Sequence, residues 1–307
     1  MAVLMVVQGS GRKKGYTATL MQEAVDSVKD IKELDVEVFH LHDYTYGPCK
    51  SCFHCIRKVG SGCVLKDDWG KKGKGVLYKA FKRANGLLVV DPVHNWGITA
   101  AAHGFMERIY PTFFEGVPYG LPFASISCAS NQGFQYEATV KFCRFAAGYG
   151  FRYIGGLPVH LAYFDKARTD ARELAKKLAQ AAIEDERNGR KKPTDEELFQ
   201  RFLGKPFDLL DGYIQNVTDN SFKYEDSIPV QALNQEKFSD PTAVELLEKT
   251  CEHLKAGMDL YNVGDRENAA RELSQVAKFW TNSTYNEYGK DIVKAKIPKA
   301  YRPLDEV

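Results

Sequence analysis

Ala2-Val3-Leu4-Met5-Val6-Val7-Gln8 runs straight into Gly9-Ser10-Gly11-Arg12-Lys13-Lys14-Gly15-Tyr16-Thr17, and the reading of this stretch decides the fold. A near-continuous apolar run closed by glycine and serine reads as a strand buried on both faces, which is the habit of parallel sheets. It has no basic leader and no small-residue cleavage site, so a signal peptide is not the reading. Four similar runs follow at 35–41, 86–91, 121–128 and 151–160. Helical periodicity alternates with them over 17–28, 76–83, 100–110, 136–147 and 166–184. Five such βα units predict an α/β, doubly wound domain, a five-stranded parallel sheet covered on both faces. Ligands of such sheets sit beyond the carboxyl ends of the strands.

The first of those ends is the glycine-rich loop itself. Small residues let a backbone approach a ligand closely, and the helix that follows aims free N–H groups outward. Ser10 and Thr17 add hydroxyls and Arg12 a guanidinium, a set that suits a terminal phosphate. Two commoner phosphate loops are excluded. The dinucleotide fingerprint needs glycine where Lys14 stands, and no G-x4-G-K-[ST] run occurs. A mononucleotide phosphate remains, beside the plain alternative of a strand-to-helix turn that binds nothing.

The second strand leads to Pro48-Cys49-Lys50-Ser51-Cys52-Phe53-His54-Cys55, with Cys63 further on, in a loop spanning 48–64. Thiols two residues apart cannot all pair as disulfides without severe strain. Three readings stand. A compact C-x2-C-x2-C run with a more distant fourth thiol is a spacing used by [4Fe–4S] clusters. Zinc more often takes two separated knuckles. A reduced thiol cluster without metal is the third. His54 reads as a solvated loop residue, since Cys49, Cys52, Cys55 and Cys63 already complete a site. Cys128, Cys143 and Cys251 are isolated and read as small apolar core residues.

The third strand ends in Asp91-Pro92-Val93-His94-Asn95-Trp96-Gly97-Ile98-Thr99 and the fourth in Ser127-Cys128-Ala129-Ser130-Asn131-Gln132-Gly133. Both are small, polar or aromatic turns at the same sheet edge as the glycine loop, where a planar phosphorylated ligand would fit. The chain has 307 residues, a formal charge of +2 and 27% charged residues, which gives no electrostatic pull toward nucleic acid or a membrane. No apolar run reaches the ~20 residues a bilayer span needs. Clustered thiols in such a chain fit a reducing, cytoplasmic location.

On these residues the first ~190 positions resemble the iron–sulfur flavoproteins of the NADPH-dependent FMN reductase superfamily. The resemblance rests on G-S-x-R-x-x-G-x-T at Gly9, Ser10, Arg12, Gly15 and Thr17, and on the cysteine run continued by Cys63-Val64-Leu65-Lys66-Asp67-Asp68. It extends through 92–99 to Phe105-Met106-Glu107-Arg108, and through Gly133 and Glu137. It implies a flavodoxin-like fold with FMN and a [4Fe–4S] cluster. Ser10, Arg12 and Thr17 would then hold the FMN phosphate. Pro92, Val93, His94, Asn95, Trp96 and Gly97 would flank the ring system, with Ser127, Asn131 and Gly133 on the neighbouring turn. Cys49, Cys52, Cys55 and Cys63 would ligate iron. The chain departs from the family pattern at Tyr16, at His94-Asn95 and at His103, all around the flavin.

The implied activity is an FMN-dependent oxidoreductase passing electrons between a two-electron partner and one-electron carriers. NAD(P)H or a ferredoxin-like protein is the candidate donor, and His94 the candidate proton donor. A flavin reductase of a small quinone or nitroaromatic, with a structural cluster, is the alternative within the class. A zinc-stabilised interaction module is the alternative outside it. By resemblance a homodimer or homotetramer is expected.

The resemblance stops before the last third of the chain. A polar linker is expected after Glu184, dividing a domain of 1–190 from a helical extension of 191–307, and the runs around Lys72 and Arg190 read as solvated loops. Thr194-Asp195-Glu196-Glu197 reads as a capping box opening a helix toward Phe207. Ser239-Asp240-Pro241 opens a second helix with Val244, Leu247, Cys251, Leu254 and Met258 on one stripe. Asp265 opens a third, ending near Phe279-Trp280. The extension is expected to make oligomer contacts or cover the site, with Tyr213, Tyr224, Trp280 and Tyr285 as candidate cover residues.

Overall fold

A computed structural model of the chain describes residues 1–129, 134–197, 199, 210–218 and 221–293. It divides into two units, Met1–Pro193 and Thr194–Val307. The first unit is built on five parallel strands: β1 (Ala2–Gln8), β2 (Leu34–His40), β3 (Gly86–Pro92), β4 (Pro122–Ala129) and β5 (Arg152–His160). Their order, β2-β1-β3-β4-β5, is that of a flavodoxin-like doubly wound sheet. β1, β3 and β4 lie inside the sheet, which is why their sequences are apolar on both faces.

One face is covered by α1 (Tyr16–Asp26) and α7 (Phe164–Asn188), which pack Leu20, Ala24, Ala171, Leu178 and Ala182 onto Leu4, Val6, Leu88 and Ile126. Between β2 and β3 lie the single turn α2 (His54–Arg57) and α3 (Val76–Arg83). After β3 come α4 (Ala100–Arg108) and the short α5 (Tyr110–Phe113), and α6 (Gln135–Tyr149) follows β4. α3, α4 and α6 cover the second face, around Phe81, Phe105, Phe123, Phe142 and Phe151. Trp69 sits at the centre of this layer, fully buried, edge-on to Phe105 at a ring distance of 5.0 Å. It pins the long β2–α3 connection, the cysteine loop, into the core.

The expected strands and helices of this unit appear with ends shifted by a few residues, except at the end of α7. That helix continues through the polar residues expected to form a linker, to Asn188. Asp185 is buried there and accepts from Arg152 Nη2 at 2.9 Å. Arg190 is not a solvated loop residue either: it is half-buried and donates to the carbonyls of Val117 and Ala84. Charge in these positions marks buried pairing rather than solvent.

In the second unit, Thr194 and Glu197 form the expected reciprocal capping box: Thr194 N donates to Glu197 Oε2 at 2.7 Å and Glu197 N to Thr194 Oγ1 at 3.1 Å. The stretch leading to Phe207 lies outside the described residues. α8 (Leu210–Val217), α9 (Ile228–Asn234), α10 (Pro241–Asn262) and α11 (Arg266–Val293) follow. The α10–α11 hairpin closes tightly, for a Cβ on Gly257 would stand 2.9 Å from Leu273. α11 runs past Trp280 because its inner face turns polar without leaving the interior. Glu287 is buried and accepts from Ser239 N, Ser239 Oγ and Asp240 N, and Ser283 donates to the carbonyl of Ala243.

Candidate functional site

The carboxyl ends of β1 and β3 are interlocked. Asp91, 1% exposed, accepts from Thr99 N and Thr99 Oγ1, both at 2.7 Å. Thr99 in turn caps α4 by accepting from Ala102 N at 3.0 Å. A Cβ on Gly9 would stand 1.8 Å from Asp91 Oδ1, so glycine is required there by contact rather than by φ. Burial drives the Asp91 carboxyl up to about 7, against the two Thr99 hydrogen bonds that favour its charge. His42, after β2, brings Nε2 to 3.2 Å of the Gly9 carbonyl.

Of the residues expected around a phosphate, Ser10 and Thr17 are buried and Arg12 is exposed. Ser10 Oγ accepts from Arg12 N at 3.1 Å. α1 begins at this loop with no side-chain cap and no acidic residue in its first turn. An eleven-residue helix with uncapped N–H groups beside Arg12 is chemically suited to an anion.

The β3–α4 turn is a small hairpin. His94 and Gly97 exchange both backbone bonds (2.9 and 3.0 Å) around Asn95 and Trp96, whose φ angles are 45° and 65°. Val93 N extends the ladder to the Cys128 carbonyl at 2.9 Å. His94 and Trp96 are exposed, and Trp96 stacks on Phe134 with ring centroids 5.1 Å apart. Ser127 is fully buried with an Oγ that has no partner. Asn131 and Gly133 lie outside the described residues.

The four cysteines expected to act together do line one cavity, of about 100 Å³. Ser51 (φ 46°) and Phe53 (φ 55°) adopt left-handed backbone, which bends the chain tightly between Cys49 and Cys55. Among the described residues no group of three or more His, Cys, Asp or Glu is placed to hold a metal ion as it stands. The thiols are free, and burial raises Cys49 and pushes Cys55 up to about 11.

Two residues that sequence reasoning gave no role hold this loop from the end of α4. Glu107 Oε2 accepts from Cys49 N at 2.9 Å. Arg108, 1% exposed, donates through Nη1 to Asp67 Oδ2 and the Gly47 carbonyl, both at 2.7 Å. Its Nη2 donates to Asp67 Oδ1 at 2.9 Å and to Cys63 Sγ at 3.4 Å. Burial favours the neutral acid at Asp67, but Arg108 and the Gly70 N–H outweigh it and hold the carboxyl below its ordinary range. The available signal was a charged residue three positions from Phe105 on an apolar helix face. For Asp91 it was an acid closing an otherwise apolar strand.

A second, open cleft of about 590 Å³ adjoins the cysteine cavity, since Glu107 lines both. His42, Tyr44, Tyr46 and His103 lie on its walls. Hence the cysteine cavity, this cleft and the glycine loop that His42 touches are neighbours along one rim.

Known proteins resemble the chain over much of the first unit. Residues 1–143 match the NADPH-dependent FMN reductase family. The stretch that matches this family includes the glycine loop, the cysteine loop, the β3–α4 hairpin and all of α4. An iron–sulfur flavoprotein of Methanocaldococcus jannaschii is 29% identical over 105 residues, which are 34% of this chain and 50% of that protein. One from Archaeoglobus fulgidus is 26% identical over 106 residues, again 34% and 50%. The chain thus spans about half the length of these relatives. Among solved structures a flavone reductase aligns with a TM-score of 0.45 at 15% identity, over 63% of this chain and 66% of that one. An azoreductase from Bacillus anthracis aligns with a TM-score of 0.41 at 17% identity, over 60% and 100%. Among the described residues no helix is long and apolar enough to cross a membrane.

Proposed function

We propose that the chain is an FMN-dependent iron–sulfur oxidoreductase whose flavin and [4Fe–4S] cluster share the rim of the first unit. The observation that carries the reading is that four cysteines line one cavity, walled by Glu107 and Arg108, that adjoins the cleft leading to the glycine loop. The all-thiol donor set suits iron–sulfur chemistry. The uncapped start of α1, the buried Ser10 and the unpartnered Ser127 Oγ suit a phosphorylated, hydrogen-bonding ligand. When bound, FMN supplies hydride acceptance from a nicotinamide together with one-electron exchange, and a cluster supplies one-electron exchange alone.

The chain's own residues supply the rest. Arg12 and the α1 N–H groups would hold the phosphate. The His94–Gly97 hairpin, with Pro92, Val93, Asn95 and Trp96, would orient the ring. His94, being exposed at the hairpin corner, would move a proton to a reduced substrate. Cys49, Cys52, Cys55 and Cys63 would hold iron. NAD(P)H or a ferredoxin-like carrier would deliver electrons, with assembly as a homodimer or homotetramer.

A second reading, reduction of a small quinone or nitroaromatic with a structural cluster, is favoured by the open cleft and its His42, Tyr44, Tyr46 and His103 walls. One absorption spectrum of anaerobically purified protein, with iron, sulfide and zinc analysis, tests the reading. Flavin bands with a broad iron–sulfur shoulder are expected. A colourless protein with stoichiometric zinc would replace it with the zinc-stabilised module. A Cys52→Ala variant that keeps FMN and all turnover would favour the second reading.

A further inference from the structure

We propose that Arg108 contacts the inorganic group held by Cys49, Cys52, Cys55 and Cys63 and sets its reduction potential. This rests on the reading that the four thiols carry an iron–sulfur cluster. Arg108 lines the cysteine cavity and is 1% exposed. A guanidinium has five N–H donors in a fixed fork. Nη1 spends its donors on Asp67 and Gly47, and Nη2 on Asp67 and Cys63 Sγ. The Nε–H is buried with no acceptor at all.

A buried donor left unmet on a charged group is costly, and native interiors rarely keep one. This donor belongs to the same guanidinium whose Nη2 already meets Cys63 Sγ at 3.4 Å, and the sulfur atoms of an anionic cluster are acceptors of the kind it lacks. Lys50 lines the same cavity but is exposed, so its charge is screened by water. Arg108 therefore acts at close range through low dielectric. Opposing it are two carboxylates, Asp67, paired with the guanidinium, and Glu107, held on Cys49 N.

Hydrogen bonds to the sulfurs and local charge set the potential of such clusters. Removing the donor should make the cluster harder to reduce. Neutralising its carboxylate partner should do the opposite. Asp67→Asn suits the second test because its Oδ1 still accepts from Trp69 N and Gly70 N, the bonds that shape the loop.

The experiment loads full-length wild type, Arg108→Gln, Arg108→Lys and Asp67→Asn anaerobically with ferrous iron and sulfide. It reads iron and sulfide content and the midpoint potential by spectroelectrochemistry. The expected result is wild-type loading, a more negative potential for Arg108→Gln, and a more positive one for Asp67→Asn. A purely structural arginine would move both variants the same way, or neither, and either result overturns the proposal. If Arg108→Gln fails to load, Arg108→Lys decides, because it keeps charge without the fork: a potential below wild type supports the proposal, and an unchanged one overturns it. Wild type that takes up no iron or sulfide defeats the cluster reading itself and the proposal with it.

Discussion

Gly9 and Asp91 are the tightest constraint at the rim. Asp91 cannot swing aside, because two Thr99 bonds hold it in a buried position. Gly9→Ala is therefore expected to cost about 1–3 kcal/mol by overpacking, read by urea denaturation. Adding Asp91→Ala should recover part of that loss, and strict additivity would show that the contact is not the cause. Asp91 also ties stability to pH. Its folded-state carboxyl is raised to about 7 from an ordinary 3.8, so the folded chain binds the proton more tightly than the unfolded chain does. The stabilisation is full below pH ~4 and lost as pH rises through ~7, at about 1.4 kcal/mol per pH unit at most. Asp91→Asn, which never ionises, should flatten that decline; a parallel pH–stability profile in the variant would assign it to other groups. Neither residue was legible as a pair in the sequence, since their contact spans two strands, and only the glycine announced itself.

Helix ends divide into those that sequence chemistry specifies locally and those that it does not. Asp240 caps α10 by accepting from Thr242 N and Ala243 N at 3.0 and 3.1 Å, with Pro241 in the first turn, and both signals were readable in order. The end of α7 was not, because Asp185 looks like linker until Arg152 is placed opposite it. That pair is nearly shut off from solvent, with side-chain exposures of 10% for Arg152 and 2% for Asp185. Replacing Asp185 with alanine leaves a buried guanidinium unpaired, with an expected loss of about 3–5 kcal/mol in denaturant titrations. Asp240→Ala should cost only about 1 kcal/mol in the same measurement, a contrast that tests whether burial or capping governs each end. The cysteine loop was legible by spacing. Its restraint by Glu107 and Arg108 was hidden, because α4, beyond α3 and β3, supplies it.

The two units have separate apolar cores: two layers on the sheet, and clusters around Leu254, Leu273 and Leu247 in the helical unit. A chain ending at Pro193 is accordingly expected to melt cooperatively with native far-UV circular dichroism, and a non-cooperative melt would show that the sheet unit depends on the helical one. The doubly wound parallel sheet was readable because strand burial writes itself as apolar runs, and the flavodoxin-like form of it came from the family resemblance. The helical unit was only partly so. Tyr213 and Tyr224 pack against its larger core and Trp280 stacks on Phe238, uses that an aromatic-rich composition does not distinguish from a cover. The placement of the three tryptophans has a practical consequence. Trp69 lies dry beneath the cysteine loop, Trp96 stands at the solvent edge of the hairpin, and Trp280 belongs to the helical unit. Each region thus carries its own intrinsic fluorophore. Single-tryptophan variants would let emission wavelength and quenching be followed separately for the thiol loop, the rim and the helices within one titration.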